Sequence, residues 1–141
     1  MLKQNTYLAI VRASAIYDII ATLPFMTPWT LSQLLGVLAG LHLYLGASGE
    51  IPQQTIFLTL FANLLGSVVV IWAFVRLRLG LPVLGRYDAA ARLLFSVWQI
   101  YAVYSGATVV VLAFTAIELL FFVLQMLPFR RDATQKPIAA V

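Results

Sequence analysis

Asp18, Asn63, Gln99 and Glu118 each stand near the middle of a long apolar stretch. In hydrocarbon an ionised carboxylate must find a partner or take up a proton, and an amide must find a hydrogen bond. Four such residues at similar depth could bind a proton, a cation or a polar ligand. The two carboxylates, Asp18 and Glu118, could also carry acid–base chemistry on a lipid-soluble substrate. Arg12 and Arg92 supply the opposite charge, so the same residues could form a structural clamp instead.

The stretches that position them run over residues 7–24, 55–76, 87–104 and 107–127. Each is long and apolar enough to be a candidate transmembrane helix. Residues three or four apart share a helix face. That spacing gives a polar stripe on every stretch: Ser14–Asp18–Thr22, Thr59–Asn63–Ser67, Asp88–Arg92–Ser96–Gln99 and Thr115–Glu118–Gln125. Lipid does not tolerate such faces, so they must turn towards one another. At ~1.5 Å per residue, Asp18 and Glu118 lie about 16 Å from opposite entrances, near the midplane. Arg12 and Arg92 lie only about one and a half turns in, as a basic layer below the carboxylates. The pair Asp88–Arg92 also reads as an ordinary i,i+4 ion pair at a helix start.

Composition points the same way. Of 141 residues, 62% are hydrophobic and 10% charged, with a mean hydropathy of +0.97. A soluble domain of this length cannot hide that much apolar surface. The fold expected is all-α, a polytopic membrane four-helix bundle with one additional short interfacial or re-entrant helix. Its bundle covers residues 1–129, followed by a cytoplasmic tail over 130–141. The N-terminus does not read as a cleavable signal, because Arg12 and Asp18 interrupt its apolar region.

Lysine and arginine near span ends set orientation. Lys3, the connection carrying Arg76, Arg78 and Arg86, and the final Arg130, Arg131 and Lys136 are basic, whereas residues 23–54 contain only Glu50. Both termini are therefore assigned to the cytoplasm, in a bacterial inner membrane. Pro24 and Pro28 should end the first helix, and Thr30 is a plausible N-cap for a short helix over 30–46, closed by Gly46. A fifth span there would put Lys3 and Arg12 on the wrong side, so this helix is expected to stay in the outer interface.

With no cysteine and one histidine, the chain is not expected to use thiolates, disulfides, a metal or a cofactor. Its basic residues flank the spans and form no stripe, so nucleic acid is not an expected partner. No nucleophile–base pair or phosphate loop accompanies the two acids. The expected partners are the lipid bilayer, a homo-oligomer or larger membrane complex, and a hydrophobic or small polar ligand.

Three stretches carry a likeness to a known family: Tyr17–Asp18 through Leu23–Pro24–Phe25, then Phe61–Ala62–Asn63–Leu64–Leu65–Gly66–Ser67, and Gly85–Arg86–Tyr87–Asp88. In these the chain resembles the small DoxX-like bacterial membrane proteins. The resemblance implies a first helix ending in proline, a short interfacial helix and three tightly connected spans. It implies no activity. The expected function is a binding or accessory membrane protein built around a polar core. The alternatives are a small oligomeric transporter or channel for protons, ions or small polar solutes, and an isomerase-like enzyme acting on a lipid or isoprenoid substrate through Asp18 and Glu118.

Overall fold

The computed structural model describes residues 1–130, so the tail with Arg131 and Lys136 lies outside the described residues. The chain is all-helical: α1 Gln4–Thr22, a 3₁₀ turn Leu23–Met26, α2 Pro28–Leu45, α3 Ile56–Leu79, α4 Pro82–Tyr104 and α5 Val111–Met126. Two strands of two residues each, β1 Leu2–Lys3 and β2 Phe129–Arg130, pair in parallel and tie the N-terminus to the end of α5. Two helical segments, Gln4–Met26 and Ile56–Leu79, are long and apolar enough to cross a membrane.

Helix boundaries follow local chemistry and correct several expectations. Thr27, not Thr30, caps α2: its Oγ1 accepts from the Thr30 backbone N–H at 3.2 Å. Pro28 then occupies the first helical turn, where its missing N–H costs nothing and its φ is pre-set. Thr55 caps α3 in the same way through the Leu58 N–H at 3.1 Å. The basic connection expected over Arg76–Arg86 is almost entirely helical. No breaker occurs before Gly80, which adopts φ +57° and ends α3, and Pro82 opens α4 immediately afterwards. α4 thus begins five residues earlier than the stretch 87–104 suggested, and α5 begins at Val111 rather than residue 107.

α1, α3, α4 and α5 run between two ends of the molecule. At one end α1 and α4 begin while α3 and α5 finish. There Tyr7 donates to the Gln125 carbonyl at 2.9 Å and stacks on Phe129, and Arg86 donates to the Leu127 carbonyl at 3.0 Å. At the other end Glu50 bridges to the α4–α5 turn through Gly106 and Thr108. α2 stays at this second end. The Pro28 carbonyl accepts from Gln54, just before α3, and His42 bonds Thr108, just before α5, at 2.8 Å.

The fold of the first connection depends on Gly66. A Cβ there would lie 2.7 Å from the Phe25 Cβ, so the 3₁₀ turn packs directly on the α3 backbone. α1 packs along α3, and α4 packs along α5, but α3 and α4 barely approach beyond the Gly80–Leu81 turn.

Candidate functional site

α3 presents Gly66, Val69, Val70, Ala73 and Arg76 as its buried face, a run at helical spacing. Small residues let α1 come close, and the run ends on a guanidinium that is fully buried. α1 turns Ser14 and Asp18 inward, α4 turns Asp88, Arg92 and Ser96, and α5 turns Thr115, Glu118 and Gln125. The four faces meet in one network.

Arg76 and Arg92 lie at its centre. Arg76 pairs with Asp18 through Nη2 and with Asp88 through Nη1 at 2.6 Å. Arg92 donates to both Asp18 oxygens from Nη2 at 2.8 Å, to Asp88 from Nε at 2.9 Å, and to Glu118 Oε2 from Nη1 at 2.6 Å. Trp72 donates its indole N–H to Asp88 Oδ1 at 3.1 Å. The Gln125 amide donates to Asp88 Oδ2 and to Ser14 Oγ, each at 2.7 Å. The Arg92 guanidinium also lies 5.0 Å from the centre of the Phe121 ring. Among the described residues, every ion pair belongs to this network.

Charge-assisted, multidentate bonds of this kind fix geometry strongly. They also carry a consequence for chemistry. A carboxylate whose two oxygens both accept hydrogen bonds is a poor proton acceptor. Both Asp18 oxygens accept from Arg92, and Asp88 accepts from Arg76 and Arg92 at Oδ2 and from the Trp72 indole at Oδ1, so both aspartates are fully bonded. Glu118 is not: only its Oε2 has a hydrogen-bond partner among the described residues.

Two cavities border the network. The larger, about 420 Å³, is walled by side chains from all five helices, among them Leu34, Leu38, Leu65, Phe95 and Trp98, and reaches Asp18, Gln99 and Glu118. Its walls are predominantly apolar. Leu65 and Trp98 are themselves largely exposed, so the space reaches the outer surface between α3 and α4. The smaller, about 240 Å³, lies lower in the same gap, against Trp72, Tyr87, Asp88 and Arg92, and shares Asp18 and Glu118 with the larger.

Of the residues picked from the sequence, Asp18, Glu118 and Arg92 meet in the network, and Gln99 lines the larger cavity while accepting from the Thr115 hydroxyl at 2.8 Å. Asn63 does not join them. It donates to the Phe25 carbonyl at 2.6 Å and clamps the 3₁₀ turn. Arg12 is exposed beside the Gly80 turn and makes no ion pair with either carboxylate. The basic layer expected below the carboxylates is therefore absent: because α4 starts at Pro82, Arg92 lies about 15 Å along it, level with the acids. Asp88–Arg92 is the i,i+4 pair expected, yet it is buried rather than at a helix start. Arg76 is the residue sequence reasoning missed. The continuous spacing from Gly66 through Ala73, with no breaker before Gly80, was the signal that would have found it.

No family model, curated protein or solved structure matches this chain.

Proposed function

We propose that this chain is a polytopic membrane protein in which α1, α3, α4 and α5 span the bilayer, α2 lies along the outer interface, and the space between α3 and α4 holds a hydrophobic ligand. It acts as a binding or accessory protein. The observation that carries this is the apolar cavity of about 420 Å³, floored by Asp18 and Glu118 and reaching the surface between two helices. Its size falls within the ~300–1,000 Å³ usual for small-molecule sites.

Membrane placement is supported by the outer faces. On α3, Ile56, Phe57, Phe61, Leu64, Val68, Ile71 and Phe74 are all exposed, and α4 and α5 expose Leu94, Trp98, Leu120 and Val123. Apolar surface on that scale is favourable only against lipid or another chain. The charges outside the core support an orientation. Lys3, Arg12, Arg78, Arg86 and Arg130 gather at the end where α1 and α4 begin, while the opposite end carries Glu50 and His42. By the positive-inside rule that basic end is cytoplasmic, in a bacterial inner membrane.

Support for binding over catalysis comes from the arginines. Acid–base work through the pair needs both Asp18 and Glu118 open to substrate, and Arg92 engages both oxygens of Asp18, leaving one free oxygen, on Glu118. A proton or ion pathway would need a polar route along the bundle, and the walls of the larger cavity are mostly aliphatic and aromatic.

The test is ligand retention in lipid nanodiscs. Saturable uptake of a radiolabelled twelve-carbon chain is expected for the unmodified protein. Ala102→Trp, which fills the cavity wall, should abolish it while leaving helicity intact. Uptake that Ala102→Trp does not change would overturn the proposal.

A further inference from the structure

The network is unbalanced in charge, and the imbalance faces the cavity. Three carboxylates, Asp18, Asp88 and Glu118, meet two guanidinium groups, Arg76 and Arg92, leaving one negative charge in excess when all are ionised. The excess is not shared evenly. Both Asp18 oxygens and both Asp88 oxygens accept hydrogen bonds. Glu118 Oε1 accepts none among the described residues, although the residue is 8% exposed and lines both cavities.

Its neighbours on the cavity wall have spare capacity as well. Gln99 uses its carbonyl oxygen on Thr115, and its amide N–H₂ donates to no described residue. The Tyr17 hydroxyl is buried without a hydrogen-bond partner. An apolar space ending on an uncompensated carboxylate oxygen selects ligands by head group. An anionic head is repelled. A neutral hydroxyl gains one hydrogen bond. A cationic head gains a charge-assisted bond in a medium of low dielectric and neutralises the cluster.

Resting on the cavity reading above, we infer that the site takes a single-chain cationic amphiphile, its ammonium head on Glu118 Oε1 and its chain between Leu34, Leu38, Leu65 and Phe95. The ammonium donates to Oε1 and Arg92 keeps Oε2, so the ligand completes the network without displacing an existing bond.

The probes are dodecylamine, dodecanol and dodecanoate, each measured for saturable binding to the protein in phosphatidylcholine nanodiscs, with empty nanodiscs subtracted. Dodecylamine is expected to bind at least tenfold tighter than dodecanol, and dodecanoate weakest. Glu118→Gln should erase the preference for the amine, bringing its affinity to within about twofold of the alcohol's in the same variant. Equal binding of amine and alcohol, both lost in Ala102→Trp, would overturn the head-group inference while leaving the cavity as an apolar site. Absence of saturable binding by all three would overturn both. The head-group series on the unmodified protein decides the matter even where Glu118→Gln fails to fold.

Discussion

Arg76 on α3 and Asp88 on α4 meet at 2.6 Å, although their helices barely approach beyond the turn that joins them. The pair bridges the gap at its lower end and leaves it open above, where the cavities lie. It also commits a fully buried guanidinium to two acids from different helices, Asp18 and Asp88. One side chain thereby holds α1, α3 and α4 together.

Removing that side chain should be costly. Arg76→Met strips a cation from Asp18 and Asp88 and leaves buried charge uncompensated, a change of ~3–5 kcal/mol. The expected result is a marked drop in thermal stability in detergent, or failure to accumulate in the membrane. Combining Arg76→Met with Asp88→Asn should recover part of the loss, because the second change removes a charge that the first had stranded. A double-mutant cycle on unfolding midpoints should show coupling of ~0.5–3 kcal/mol. Strict additivity would mean that the pair does not act as a unit.

A second set of variants tests the α1–α2 connection. Gly66→Val would drive a side chain into Phe25, since even a Cβ would stand 2.7 Å from it. The cost of such overpacking is ~1–3 kcal/mol. Asn63→Ala would leave the Phe25 carbonyl without its 2.6 Å donor, also ~1–3 kcal/mol. Both changes should raise protease cleavage near residues 23–27 more than cleavage elsewhere, as read by mass spectrometry of the fragments.

How far the sequence exposed this arrangement depended on which physical rule each residue obeyed. Helical spacing placed Asp18, Arg92 and Glu118 on inward faces, because lipid penalises polar side chains and the period is regular. It failed for Arg76, whose nearness to other basic residues made it look like part of a loop; helix termination by Gly80 and Pro82 was the stronger signal. Asn63 also sits on a regular stripe, yet its partner is a backbone carbonyl in the 3₁₀ turn, which no side-chain pattern reveals. Pro28 at the start of α2 shifted the cap from Thr30 to Thr27 for a local reason, visible in the sequence but outweighed there by the hydroxyl at Thr30.

The proposed orientation is open to a direct measurement, since this sequence contains no cysteine. Single cysteines at Lys3 and Arg78 should be labelled by a membrane-impermeant maleimide only after the membrane is opened. Cysteines at Ser48 and Ser105, at the end where α2 lies, should be labelled in intact cells stripped of their outer membrane. Labelling of Ser48→Cys and Ser105→Cys from opposite sides would contradict the bundle, because the loop bearing Ser48 bonds to the turn beyond Ser105.

The two carboxylates that share the larger cavity should differ sharply when neutralised. Asp18→Asn withdraws charge from both arginines at once, and Arg76 then keeps only Asp88 and Ser14. Either change leaves two acids against two bases, but Glu118→Gln withdraws one contact only and leaves a carbonyl oxygen for Arg92 Nη1. Asp18→Asn is therefore expected to cost ~1–3 kcal/mol, because buried guanidinium donors lose their acceptors, and Glu118→Gln less than about 1 kcal/mol. Thermal unfolding in one detergent, with the two variants side by side, reads the difference. A loss at Glu118 equal to that at Asp18 would mean that its carboxylate serves the fold as fully as the others, and that its free oxygen is not held in reserve for a ligand.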